Sequence, residues 1–256
     1  MKEYSVLKMY SKELNREMRM FISLPKSYYN SNKRYPVLYM CDGQNLFDDL
    51  QATYGKSWGI LETYKTQPDL PELIIVGIES NDDRSNELVP FEFQFAIGGK
   101  VWGGKTDAFL LFIINTLKTY IDKRYRSLKK SENTAIMGSS FGGVCATYAA
   151  LKYGDYFTKF GCVSNAYFPV QEEIVKLAKI ANLSNLKKIY MDVGTKESKN
   201  LKENIAYLES NEEIYNILKS KIVPKNIRYN IVEDAVHNES AWELRFAEII
   251  NFLFEQ

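Results

Sequence analysis

The sequence predicts an α/β protein: a mostly parallel sheet with helices on both faces, opened by an antiparallel hairpin. Three observations carry this. Short apolar runs rich in Val, Ile and Tyr recur along the chain, separated by segments with helical spacing. From about residue 36 the two kinds of segment alternate to the C-terminus, the pattern of strand–helix–strand crossovers. The first two apolar runs are instead joined only by the polar stretch 11–16, which suits a hairpin. No repeat or low-complexity linker divides the 256 residues, so one domain spanning 1–256 is expected.

Taken in order, strands are expected at 5–9 and 18–23 for the hairpin, then at 36–41 and 73–79. Further strands follow at 134–137, 159–164, 188–193 and 228–232. Helical spacing of apolar residues places helices at 56–64, 106–125, 141–153, 171–181, 201–221 and 240–254. Residues 80–105 break the rhythm with Asp82, Asp83, Pro90, then Phe91, Phe93, Phe95 and four glycines around Trp102. An excursion of this length is either a loop whose aromatics patch the edge of the core or one wall of a substrate pocket.

Composition excludes several classes of function. The 33 Lys+Arg against 32 Asp+Glu leave a net charge of +1, without the basic excess that a phosphate backbone demands. Nucleic acid is therefore not an expected partner. Apolar runs such as 109–114 are far too short to span a bilayer, so no membrane partner is expected either. The N-terminus shows no apolar signal-peptide core, and Cys41, Cys145 and Cys162 sit far apart with no CxxC spacing. Free thiols in a reducing, cytoplasmic setting are the expectation. A single histidine, His237, precludes a His-rich metal centre, and no metal site is expected.

The strongest local signal is Gly138-Ser139-Ser140-Phe141-Gly142, a G-x-S-x-G between an expected strand and an expected helix. A serine at such a turn sits on a strained backbone with its Oγ exposed, and its neighbours must be small to clear strand and helix. The N–H of Phe141 then opens a helix, where orphan donors and the dipole favour a developing oxyanion. A phosphate loop of the G-K-[ST] kind is excluded because no Lys is present in the motif. Ser140 is the candidate nucleophile, and it needs a base to take its proton. His237 follows the last expected strand and is the one imidazole available. The chain order Ser, acid, His asks for a carboxylate between them. Asp192 and Glu197 both qualify, and Glu197 is favoured because it lies past Gly194, beyond the expected end of the strand. A second oxyanion donor is expected from the turn Asp42-Gly43-Gln44, through the N–H of Gln44.

These residues resemble the putative-esterase branch of the α/β-hydrolases, which includes esterase D and enterochelin-esterase-like proteins. The resemblance runs over nearly the whole chain. It rests on DGQNLF at 42–47, on Val76-Gly77-Ile78 with Arg84 and residues 87–90, on GSSFGG at 138–143, on Gly194-Thr195 with Glu197, and on His237 through Trp242. It implies an α/β-hydrolase fold with an eight-stranded sheet, a triad of Ser140, Glu197 and His237, an oxyanion loop at Gln44 with Phe141, and no cofactor. Cys41 departs from the pattern, since relatives often carry His before Asp-Gly. The expected activity is that of a serine carboxylesterase acting on a small-molecule ester with a short acyl or aryl acyl group. Siderophore or carbohydrate acetyl or feruloyl esters are the runner-up substrates, and a silent binding protein on a hydrolase fold is the non-enzyme alternative. Trp58, Phe91, Phe93, Trp102, Tyr167 and Trp242 are the candidate pocket walls, though each could equally be core packing.

Overall fold

The computed structural model describes residues 3–255. The hairpin is β1 (Tyr4–Ser11) and β2 (Arg16–Ser23), paired antiparallel over their full lengths. Then come β3 (Val37–Cys41), α1 (Ile60–Thr66), β4 (Ile74–Ile78) and α2 (Arg84–Leu88). The excursion contains β5 (Phe93–Gln94) and β6 (Val101–Trp102), a small separate antiparallel pair. After it the chain alternates through α3 (Thr106–Leu111), α4 (Lys118–Arg124), β7 (Thr134–Ser139), α5 (Phe141–Lys152), β8 (Lys159–Val163) and α6 (Gln171–Ile180). It finishes with β9 (Lys188–Lys196), α7 (Leu201–Lys219), β10 (Ile227–Val236) and α8 (Glu239–Phe254).

Eight strands form one sheet in the order β1-β2-β4-β3-β7-β8-β9-β10. β2 pairs antiparallel with β1 and β4, and every pair from β4 to β10 is parallel. The expected sheet is therefore present, with several differences in detail, and the helix expected at 56–64 spans Ile60–Thr66. β9 and β10 run three and four residues past their expected ends at 193 and 232. The helix expected from 106 is one continuous path whose middle, Phe112–Leu117, widens to π-type hydrogen bonding between α3 and α4. Within the excursion, α2 and the β5–β6 pair were not foreseen, because each is too short to show a period.

The central strands read as continuous apolar runs because both faces are covered. In β3, Val37, Tyr39 and Cys41 face one apolar layer, while Leu38 and Met40 face the other. In β7, Ile136 joins the first layer, with Ala135 and Met137 in the second. The first layer is closed by residues of α3 and α5, such as Phe109 and Val144, and the second by α8 through Phe246, Ile249 and Leu253. Each such side chain contributes roughly 1.5–3 kcal/mol of transfer free energy, which is what pins the helices to the sheet. Parallel strands point their carboxyl ends the same way, so the loops after β3, β7, β9 and β10 gather at one edge.

Candidate active site

Asp42, Ser140, Glu197 and His237 occupy those four loops. Ser140 follows β7 with φ 58° and ψ −123°, a left-handed backbone that L residues rarely adopt. Its N–H bonds the carbonyl of Val163 at 2.9 Å, and its own carbonyl receives Gly143 and Val144 N–H at 3.1 and 3.2 Å. These bonds hold the serine on the bend, against a strain of about 1–3 kcal/mol. A Cβ on Gly138 would stand 2.6 Å from the backbone carbon of Gly142, so the first glycine of the motif is sterically required.

His237 Nδ1 lies 2.6 Å from Glu197 Oε2. Glu197 Oε1 accepts the Gly194 N–H at 2.5 Å, so both carboxylate oxygens are held. Glu197 comes directly after β9, whose true end is Lys196, and its side chain is 0% exposed, against 22% for His237. It is thus a buried carboxylate rather than a solvated loop charge. The imidazole is fixed on two further sides: Trp242 meets it edge-on at 5.1 Å and 85°, and Tyr207 from α7 lies at 5.2 Å. Ser140 and His237 line one cavity of about 310 Å³, although no hydrogen bond joins Ser140 Oγ to the ring among the described residues. Apo sites are often loose in this way before substrate arrives.

Asp192, the rival acid, lies inside β9 and faces a different network. Its Oδ1 accepts the Ser164 N–H at 2.9 Å, and its Oδ2 lies 3.3 Å from Arg245 Nε. Burial pushes its pKa up to about 6 despite the pull of Arg245. Ser164 Oγ in turn receives Trp242 Nε1–H at 2.9 Å and Arg245 Nη2–H at 3.1 Å. Asp192 therefore stands behind the tryptophan that walls His237, and no hydrogen bond joins it to the imidazole among the described residues.

The N–H groups of Gln44 and Phe141 are given no acceptor by the hydrogen bonds of the described residues. Gln44 is placed by its own side chain, which takes Ser80 N–H at 3.1 Å and donates to Thr53 Oγ1 at 3.3 Å. Asp42 sits at φ 57° and grips Arg84 through Nε at 2.6 Å and Nη2 at 2.8 Å. Arg84 also lies over the Phe141 ring at 5.8 Å, tying the two loops together. A Cβ on Gly43 would stand 2.4 Å from the carbonyl carbon of Gly77 in β4. Gly43→Ala should therefore push the turn off the sheet, costing about 1–3 kcal/mol and displacing the Gln44 N–H. Thermal unfolding and ester hydrolysis on the same sample should both fall; an unchanged midpoint would contradict the close approach.

The pocket walls differ most from expectation. Of the six aromatic candidates, only Trp242 lines the cavity shared by Ser140 and His237. Trp58 is 2% exposed and packs on Trp242 and Phe246 in the apolar layer behind them. Tyr167 is fully buried and shares a hydrogen bond with Thr147 at 2.5 Å. Phe93 packs on Phe141, Phe91 on Tyr148, and Trp102 lies under Lys100. None of these five lines this cavity. The cavity wall instead combines Tyr54, which the sequence did not single out, with the polar side chains of Asp42, Asn45, Arg84 and Glu239. Larger cavities of about 760 and 630 Å³ exist elsewhere, but neither has a serine beside the histidine. Cys41 is buried with its Sγ 3.9 Å from the Gly142 carbonyl, and Cys145 and Cys162 are also buried free thiols.

The family model described as Putative esterase matches residues 11–253. In sequence, the uncharacterized protein YbbA of Bacillus subtilis (strain 168) is 25% identical over 245 residues, covering 92% of each chain. Among solved structures, an IroE-like serine hydrolase from Shewanella oneidensis superposes with TM-score 0.76 at 20% identity, over 98% of this chain and 80% of that one. The enterobactin esterase FES from Shigella flexneri, solved with enterobactin, gives 0.74 at 19% identity, over 97% of this chain and 58% of that one. At these identities the likeness is one of fold.

Proposed function

The chain belongs to the Putative esterase family of serine hydrolases, and within it we propose a carboxylesterase that works through a Ser140 acyl-enzyme and prefers short acyl or aryl acyl esters. The observation that carries this reading is the buried Glu197 carboxylate 2.6 Å from His237 Nδ1, on the same sheet edge as the Ser140 elbow. An acid on Nδ1 leaves Nε2 without a proton and free to take one. His237 removes the Ser140 proton as Oγ attacks the ester carbonyl. The Gln44 and Phe141 N–H groups, which have no acceptor among the hydrogen bonds of the described residues, receive the oxyanion. The imidazolium, stabilised by Glu197, then protonates the departing alcohol. Water attacks the acyl-enzyme by the same steps in reverse roles.

An active-site fluorophosphonate should label Ser140 alone, read by peptide mass mapping; labelling of a different serine would overturn the assignment. The size preference rests on the cavity of about 310 Å³, the lower end for small-molecule pockets. Across an ester series of rising acyl length, kcat/KM should peak at short chains. A maximum at long fatty esters, with activation at an interface, would contradict it.

A further inference from the structure

Charge in the cavity wall does not cancel. Asp42 and Glu239 are two carboxylates against the single guanidinium of Arg84, and Asp42 already holds that guanidinium through two of its nitrogens. Glu239 opens α8 and is 4% exposed, a degree of burial that a carboxylate rarely accepts without partners. Asn45 Nδ2–H reaches its Oε1 at 2.9 Å, and its own backbone N–H leans on the carboxylate as well. A carboxylate offers about four acceptor sites, so capacity remains, and it remains where the group lines the cavity. Burial and the nearby Asp42 raise its pKa, while His237 and Arg84 act the other way. A hydrogen-bond donor entering the cavity would relieve this unmet demand.

Position along the chain says which half of an ester would bring that donor. The alcohol oxygen must lie against the imidazole that protonates it, and Glu239 follows His237 by two residues in the same wall. We propose that Glu239 is a specificity-determining residue, whose carboxylate accepts a hydrogen bond from a hydroxyl or ammonium on the alcohol half of the ester. The inference rests on the esterase reading of Ser140 and His237. An alcohol half that carries its own carboxylate is disfavoured by the same charge. Trp242 lines the same cavity of about 310 Å³ as Glu239, Ser140 and His237, so a donor placed close to the scissile bond is the one to test.

Four butyrate esters test this: ethyl, 2-hydroxyethyl, 2-(dimethylammonio)ethyl and carboxymethyl. Intrinsic reactivity differs among them, so the deciding quantity is kcat/KM relative to ethyl, compared between the wild type and Glu239→Gln. Glutamine keeps the size and an acceptor for Asn45 but removes the charge. For whichever donor-bearing ester is preferred, the relative kcat/KM should drop about 10- to 100-fold in the variant, the scale of a hydrogen bond to a charged group. The carboxymethyl ester should improve relative to ethyl. Loss confined to the ammonium ester identifies an amino alcohol, and loss confined to the hydroxyl ester a polyol. Ratios unchanged within about twofold for all three would overturn the proposal. Should the variant not fold, the wild type decides by itself: 2-hydroxyethyl butyrate must outrun its alkyl isostere, propyl butyrate, or the ammonium ester its own isostere, 3-methylbutyl butyrate, and parity in both pairs overturns the idea. If the Ser140→Ala protein still hydrolysed these esters, the assignment of Ser140 as nucleophile would fail; a dead Ser140→Ala enzyme with flat wild-type ratios sinks only the role of Glu239.

Discussion

Ser140→Ala should lower ester hydrolysis by about 10⁴–10⁶-fold while leaving the thermal midpoint within a degree or two of wild type, judging from other serine hydrolases. The activity loss follows because the proposed mechanism has one nucleophile, and the other hydroxyls that line the cavity, Ser139 and Thr53, do not stand on the elbow: the oxyanion donors and the imidazole remain, but the acyl-enzyme at Ser140 cannot form. The retained fold follows from what holds the bend. Ser140 contributes its backbone to the turn, through bonds to Val163, Gly143 and Val144, and alanine keeps all of them. The serine hydroxyl has one side-chain hydrogen-bond partner, Tyr207 of α7, so removing one oxygen costs a single contact and leaves the turn intact. The left-handed backbone at φ 58° strains alanine as it strains serine, so that cost cancels between the two proteins. Circular dichroism and turnover measured together decide it. A variant within tenfold of wild type would mean that hydrolysis proceeds elsewhere.

How far the site was legible depends on the range of the interaction that makes each part. The elbow is local: Gly138, Ser140 and Gly142 lie within five residues, and the collision that demands glycine is between neighbours in sequence. The sheet was legible because strands covered on both faces must be apolar throughout, as β3 and β7 are. The ends of β9 and β10 were not, since those strands continue through Thr195, Lys196, Glu233 and Asp234 after the apolar run stops. The lining of the cavity was not legible for a different reason. Aromatic residues near a suspected site are as useful to the core as to a ligand, and nothing local distinguishes Trp58, behind Trp242, from Trp242 itself. Tyr207, against the imidazole, lies mid-helix in α7 with no motif around it. Asp42, Arg84 and Glu239 meet across as many as 197 positions of chain, a juxtaposition only the fold supplies.

Glu197→Gln should cut kcat by about 10²–10⁴-fold, and Asp192→Asn should spare most of it. The two carboxylates lie five residues apart on one strand path, yet their surroundings assign them different work. Glu197 Oε1 is already taken by the Gly194 N–H, so a glutamine oxygen would take that place and leave its NH₂ facing His237 Nδ1. The ring must then accept at Nδ1 and carry its proton on Nε2, the atom that should receive the serine proton. The loss is therefore one of tautomer, and it should appear in kcat more than in KM. Asp192 lies behind Ser164 and Arg245, with no hydrogen bond to the ring among the described residues, so its replacement should register in stability. Its folded pKa of about 6 exceeds the ordinary Asp value of roughly 3.9. The folded protein thus holds this proton more tightly than the unfolded chain does. The associated stability is fully present below about pH 4 and is lost as pH rises through about 6. Asparagine does not titrate, so the midpoint of Asp192→Asn minus that of wild type should climb between about pH 4 and 6 and level off above. Melts across that range, with kcat for both variants at neutral pH, test the pair at once. A stable but inactive Asp192→Asn beside a near-normal Glu197→Gln would move the acid to Asp192, and a midpoint difference flat with pH would refute its raised pKa.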